Sequence, residues 1–230
     1  MEDEMKTIAF VPIKMNNERL PGKNIKKFSN GRPLISYILE TLKLVEGLDG
    51  IYVYCSDPEI KRFLPDGVRY LKRDPYLDLS TTSFNEVLTS FAEEVAADIY
   101  VLTHATAPFI KKESFQKGIE AVKSGEYDSA LAVRKMQEFL WIDGRPFNFR
   151  PEEIPRTQDL KPFYMETCGM YIYTSDLIKT EKRRVGDRTY LVSVTKIEAC
   201  DINDPEDFIF ADALRTLGEN DLEKYTGETE

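Results

Sequence analysis

The feature that most restricts the fold of this chain is a repeated change of hydrophobic period. Short apolar runs with strand character alternate with stretches in which apolar residues recur at helical spacing. "TIAFVP" over Thr7–Pro12 is β-branched and aromatic and predicts a buried strand. "PLISYILETLKLV" from Pro33 to Val45 predicts a helix, with the proline suited to its first turn. Ile51–Cys55 predicts a second strand, Ser56-Asp57-Pro58 the cap of a short helix, and Val68–Leu71 a third strand. Ser83 with Glu86 has the form of a capping box and predicts a helix to about Ala96. "DIYVLT" over Asp98–Thr103 is almost continuously apolar, as a central parallel strand should be. A helix around Lys112–Lys123 and a strand around Ser129–Val133 follow. This alternation predicts an α/β fold with a mainly parallel twisted sheet flanked by helices, in a single domain over residues 1–230. Active sites of such sheets lie at the carboxyl ends of the strands.

The pattern breaks over Arg134–Pro162, which holds Trp141, Phe147, Phe149 and four prolines with little periodicity. The stretch is too long and too aromatic for a simple loop and predicts an excursion from the sheet over residues 135–165. Exposed aromatics there would point to a subunit contact and a homodimer. Regularity returns with strands at Gly169–Tyr173 and Tyr190–Val194. A last helix is expected over Pro205–Leu217, capped by Asp204 and carrying Glu206 and Asp207 in its first turn.

Composition narrows the function classes. A net charge of −9 disfavours nucleic-acid binding by bulk electrostatics, although local cations can still hold an anion. No apolar run is long enough to span a membrane, and the acidic Met1-Glu2-Asp3-Glu4 start is unlike a signal peptide, so a cytoplasmic protein is expected. The three cysteines, Cys55, Cys168 and Cys200, are scattered without a C-x-x-C pair, which predicts reduced, mostly buried thiols.

The polar segment after the first strand carries the chemistry. Lys14, Arg19 and Lys23 follow the strand directly, with Lys26 and Lys27 just beyond and Gly22 among them. A nucleoside triphosphate needs backbone N–H groups and cations in such a place, and glycine lets the backbone come close to a phosphate. Neither a Walker A loop nor G-x-G-x-x-G is present. Taken alone, the segment reads equally as a phosphate cradle or as a solvated basic loop.

"VPIKMNNERLPGKN" resembles the nucleotide-binding loop of the sugar-acid cytidylyltransferases, which include the CMP-sialic acid (N-acylneuraminate) and CMP-Kdo synthetases. Arg19–Lys23 is similar to the Kdo branch, whereas Asn24 and "GRPLISYILETL" look like the sialic acid branch. "VYCSDPEI" from Val53, Arg73-Asp74-Pro75 with Leu79–Ser83, "VLTHATAPF" from Val101, "RTQDLKPFYMETCGMYIY" from Arg156 and "DINDPEDFIFADAL" from Asp201 continue the likeness in order along nearly the whole chain.

The resemblance implies a Rossmann-like nucleotidyltransferase that joins CMP from CTP to a sialic-acid-like 2-keto sugar acid and releases pyrophosphate, with Mg2+ as cofactor. By position, Pro12, Ile13, Lys14, Asn16, Arg19, Lys23, Arg73 and Thr82 would contact the nucleotide. His104, Arg156 and Gln158 would face the sugar acid, and Asp201 with Asn203 would hold the metal. Lys14, Lys23 and Asp201 would carry the catalysis, by charge neutralisation and positioning. The chain departs from the family pattern at Lys14 (usually arginine), Asn203 (usually aspartate), His104 (usually glutamine) and Cys168 (often asparagine). Two alternatives are a nucleotidyltransferase with a sugar phosphate or polyol phosphate acceptor, and a degenerate nucleotide-binding homologue. The absence of a glycine-rich first loop, and of Asp-x-Asp after "DIYVLT", disfavours other sugar nucleotidyltransferases and glycosyltransferases.

Overall fold

The protein, seen in a computed structural model, is described over residues 5–217. Strand β1 (Thr7–Ile13) leads to α1 (Leu34–Lys43), β2 (Gly50–Cys55) and β3 (Val68–Lys72). Helix α2 (Phe84–Glu94), β4 (Ile99–Thr103), α3 (Lys112–Lys123) and β5 (Ser129–Met136) come next. A hairpin of β6 (Trp141–Ile142) and β7 (Arg145–Pro146) precedes β8 (Phe163–Thr174). Helix α4 (Ser175–Glu181), β9 (Thr189–Ser193) and α5 (Pro205–Leu217) are the last elements of the described residues.

Seven strands form one sheet in the order β3-β2-β1-β4-β8-β5-β9. All pairings are parallel except those of β8, which runs antiparallel to both β4 and β5. The α/β architecture expected from the alternation is present, with this one reversal inside it. β8 is longer than the expected Gly169–Tyr173 because its first residues pair with the outer end of β5, Phe163 with Met136 and Tyr164 with Lys135. Tyr164 and Met165 are exposed, so no alternation of buried and solvated residues marks that part of the strand.

Alternate side chains of the central strands feed two apolar layers. Val11, Val101 and Ile172 pack with Ile35, Ile38 and Leu39 of α1 and Phe115 and Ile119 of α3. Phe10, Tyr100 and Tyr171 face the other way, against Leu88 and Phe91 of α2 and Ile178 of α4. The Phe10 and Phe91 rings stack at 4.0 Å. Each fully buried large apolar side chain contributes about 1.5–3 kcal/mol. The capping box of α2 is formed, with Glu86 N donating to Ser83 Oγ at 3.3 Å and Ser83 N to Glu86 Oε1 at 2.9 Å. Asp204 caps α5, its Oδ1 accepting from Asp207 N at 3.0 Å.

A third cluster decides where the site lies. Leu20 and Phe28 of the segment after β1, Leu34 and Tyr37 of α1, and Ile202, Phe208 and Ala211 of the C-terminal segment pack together. This cluster draws the start and the end of the chain onto one end of the sheet.

The hairpin lies off the main sheet. Its turn is Asp143-Gly144, both at positive φ (50° and 73°), the preferred pair for a tight hairpin turn. Phe139, Trp141, Ile142, Phe147 and Ile154 are exposed, while Phe149 packs against Phe139 and Trp141. Of the cysteines, Cys55 is buried, Cys200 partly so and Cys168 exposed, and all three are free. Cys168 departs from the expected burial: it lies in β8 before Met170, which pairs with the last residue of β4, so no residue of β4 pairs with it. Among the described residues, no helix is long and apolar enough to cross a membrane.

Candidate nucleotide-binding cleft

The carboxyl end of β1 runs into a loop shaped by its own polar groups. Gly22 adopts φ +67°, a left-handed conformation that favours glycine, and starts a short turn over Lys23–Ile25. Buried Asn24 donates from Nδ2 to Lys14 O at 2.9 Å and ties the two ends of the loop together. The loop bounds a cleft of about 340 Å³ lined by Lys14, Asn16, Asn17, Glu18, Arg19, Leu20 and Lys23, with Ser80 and Asn203 completing the wall.

The C-terminal segment crosses this cleft. Lys23 Nζ donates to Ile202 O at 2.9 Å, and Arg19 Nη2 donates to Asn203 Oδ1 at 3.0 Å. Asn203 Nδ2 donates in turn to Asp201 Oδ2 at 2.8 Å. Ile202 N donates to Thr106 O at 2.9 Å, so the same segment also rests on the loop after β4. Burial lowers the pKa of Lys23 and neighbouring Arg19 adds to the effect, while Asp201 and Asp207 oppose it. Partly buried Lys23 and exposed Arg19 thus stand on one wall, an arrangement that favours a polyanion.

Lys14, Arg19, Lys23, Asp201 and Asn203, expected to act together, are brought to one place. Asn16 lines the same wall. Pro12 and Ile13 end β1 beneath it; the Ile13 side chain is 1% exposed and belongs to the core, so only its backbone is available to a ligand. Arg73 is buried and ion-paired with Asp78, which also accepts from Ser56 Oγ. Its side chain therefore ties the end of β3 to the turn that holds Asp78, two residues before Ser80. Thr82 Oγ1 donates to Tyr76 O at 2.8 Å, a turn contact, and neighbouring Ser80 is the residue of that segment that lines the cleft.

His104 follows β4 directly, with its ring 5.5 Å from that of Phe84. Burial is the main cause that pushes its pKa down to about 4; Arg184 and Lys23 add to it, and Asp201 opposes. At neutral pH the imidazole is uncharged. Arg156 and Gln158 find their contacts elsewhere: Arg156 grips Asp159 through Nε at 2.7 Å and Nη2 at 3.0 Å, and Gln158 O accepts from Gln137. Both are exposed on the segment before β8, because the turn at Thr157–Asp159 closes on itself. Besides Lys23, the cation near His104 is Arg184, which no sequence signal marked.

Magnesium was expected here. Among the described residues, no group of three or more His, Cys, Asp or Glu side chains is placed to hold a metal ion. The fit rests on one atom: Asp201 Oδ1 is buried without a hydrogen-bond partner. Magnesium usually takes one or two carboxylates and fills its shell with water and phosphate oxygens, so a single such oxygen suits it. Asn203, the second expected ligand, links Arg19 to Asp201 through both ends of its amide.

A largely parallel sheet whose first strand feeds a cation-lined loop is the frame of a nucleotidyltransferase, and solved structures share it. A CMP:2-keto-3-deoxy-manno-octonic acid synthetase complexed with CTP matches with a TM-score of 0.69 at 18% identity, over 92% of this chain and 98% of that one. The 4-diphosphocytidyl-2C-methyl-D-erythritol synthase of Anaerococcus prevotii matches with a TM-score of 0.67 at 16% identity, over 93% and 97%. Residues 8–198 match the family model described as cytidylyltransferase, and the chain belongs to that family of nucleotidyltransferase enzymes. A 3-deoxy-manno-octulosonate cytidylyltransferase of Hydrogenovibrio crunogenus is 26% identical over 130 residues, 56% of this chain and only 52% of that relative. An 8-amino-3,8-dideoxy-manno-octulosonate cytidylyltransferase from a Shewanella species is 23% identical, across 88% of this chain and 96% of its own length. By name, these two relatives belong with the Kdo side of the resemblance rather than the sialic acid side.

Proposed function

We propose that the protein transfers CMP from CTP to a 2-keto-3-deoxy sugar acid of the octulosonate type, with release of pyrophosphate. The observation that carries this reading is the meeting of Lys23 and Arg19 with the Asp201–Asn203 segment across one cleft. The names of the relatives favour an eight-carbon acid over the nine-carbon sialic acid.

Lys14, Arg19 and Lys23 receive the triphosphate and offset its charge, so that an approaching hydroxyl meets a less repulsive α-phosphate. That hydroxyl oxygen bonds to the α-phosphorus, the bridge to the β-phosphate breaks, pyrophosphate leaves and the hydroxyl proton passes to solvent. Neutral His104 hydrogen-bonds the acceptor beside the reacting centre. A magnesium ion held at Asp201 would supply further neutralisation of phosphate charge. Arg73 holds the wall near the base through Asp78. The exposed aromatic face around Trp141 and Phe147 supports assembly of two copies.

The test is pyrophosphate release from CTP and magnesium with a panel of acceptors, read also by the mass of the CMP-linked product. The panel holds 3-deoxy-manno-octulosonate, its 8-amino-8-deoxy analogue, N-acetylneuraminate and a polyol phosphate. Release with either octulosonate supports the proposal, and release with N-acetylneuraminate alone moves the acceptor to the sialic acid branch. CTP binding without release from any acceptor sinks the enzymatic reading.

A further inference from the structure

We infer that Arg184 takes the carboxylate of the sugar acid and is the specificity-determining cation on the acceptor side of the cleft. This rests on the proposed transfer to a sugar acid and names the residue that reads the acid group.

The placement of Arg184 is built by the fold. The chain turns between α4 and β9, where Gly186 comes so close to Asp128 that a Cβ would lie 2.0 Å from Asp128 Oδ1. Gly186 N donates to Ser129 Oγ at 2.9 Å, and Val185 packs against the apolar layer that contains Tyr171. With its neighbours pinned, Arg184 lays its guanidinium 3.8 Å from the centre of the Tyr171 ring and 5.1 Å from that of Phe84. Tyr171 is itself oriented by a hydrogen bond from its hydroxyl to Glu166. Phe84 also contacts the ring of His104, so Arg184 and His104 flank one aromatic side chain.

Two ties bring this group to the cleft. Thr103 Oγ1 donates to Gly169 O at 2.6 Å and joins β8 to the strand end that carries His104. Ile202 N donates to Thr106 O and sets the Asp201 segment against the same loop. The influence of both Arg184 and Asp201 on His104 agrees with this arrangement.

The donors of Arg184 remain available. Its nearest carboxylate, Glu166, is 3.8 Å away, beyond hydrogen-bond reach, and already accepts from Tyr171. The Arg184 side chain is 24% exposed. A stacked, mostly buried guanidinium that makes one long ion pair with Glu166 and no hydrogen bond to it suits a bidentate carboxylate. Arg156, the cation expected for this task, spends its fork on Asp159. A purely packing role for Arg184 would predict that its loss disturbs nucleotide and acid binding alike.

The experiment is calorimetric titration of 3-deoxy-manno-octulosonate, and separately of N-acetylneuraminate, into the whole protein saturated with CMP, so that no transfer occurs. Wild type, Arg184→Lys and Arg184→Met are compared, with CMP affinity and the thermal midpoint measured for each. Arg184→Met is expected to weaken the acid by about 10–100-fold, and Arg184→Lys by less, with CMP affinity unchanged. Equal acid affinity in wild type and Arg184→Met overturns the inference alone, as does a parallel loss of CMP and acid affinity. A wild-type protein that binds CMP but neither acid overturns both the inference and the transfer reading.

Discussion

The loop after β1 and the arm around the β6–β7 hairpin share one trait in sequence, since both are proline-bearing breaks in hydrophobic period, the first polar and the second aromatic. In the folded protein they are opposites. The loop makes its decisive contacts with residues at the far end of the chain: Lys23 with Ile202 and Arg19 with Asn203. Many of the arm's contacts are local. Asn148 bonds Leu140 and Glu138, Arg156 bonds Asp159, and the turn is Asp143-Gly144. A loop held from a distance can keep polar groups partly buried and aimed at a ligand. An arm that closes on itself leaves its apolar side chains to solvent, and Trp141 is 61% exposed. On the proposed function, the first region does the chemistry and the second is the surface for a second copy.

The largest effect that could break this comparison is expected at Asp201. Asp201→Ala removes a carboxylate with one unpaired buried oxygen and little packing role, so magnesium-dependent pyrophosphate release should fall by at least about 100-fold with the circular dichroism spectrum retained. Activity near the wild-type level would take the metal away from this residue. Next come Lys23→Met and Arg19→Ala, each expected to weaken CTP binding on the order of 10-fold in calorimetry. Normal affinity in both variants would place the triphosphate outside the cleft. In the arm, the double variant Trp141→Asp with Phe147→Asp should convert a dimer to a monomer in sedimentation while leaving the CTP affinity of each chain intact. A wild-type monomer at micromolar concentration would leave the exposed face without its proposed partner.

The smallest effect concerns His104, the only histidine in the chain. Its proton resonance should titrate with a midpoint near 4 rather than 6.5. Between these values the unfolded chain binds a proton that the folded protein refuses, so the contribution of His104 lowers stability as pH falls through that window. Above it both states are neutral and the contribution vanishes. Turnover should then show no inflection near 6.5 from this group, and a midpoint close to 6.5 in the spectrum would reverse the assignment of a neutral imidazole.

Much of the frame was legible in the linear pattern. β1, β2, β4, α1, α2, α3 and α5 fall where period, prolines and caps place them, because each is set by residues within a few positions of one another. The reversed β8, its long outer half and α4 were not, and the Asp143-Gly144 turn was passed over within an aperiodic stretch. The direction of a strand between two neighbours depends on pairing across the chain, which local period does not encode. At the site, the cations of the first loop stood out by type and spacing. Arg184 did not, since nothing adjacent to it suggests a ligand.

The sequence by itself determined the α/β class, the cation-rich segment after the first strand and the acidic segment at Asp201, all features written in local composition and period. Only the tertiary structure decided that these two segments share a cleft, that Arg156 turns to Asp159, and that Arg184 stands beside His104. The physical reason is that these juxtapositions come from sheet order and from burial of Leu20, Phe28, Ile202 and Phe208 in one cluster, which joins residues distant along the chain.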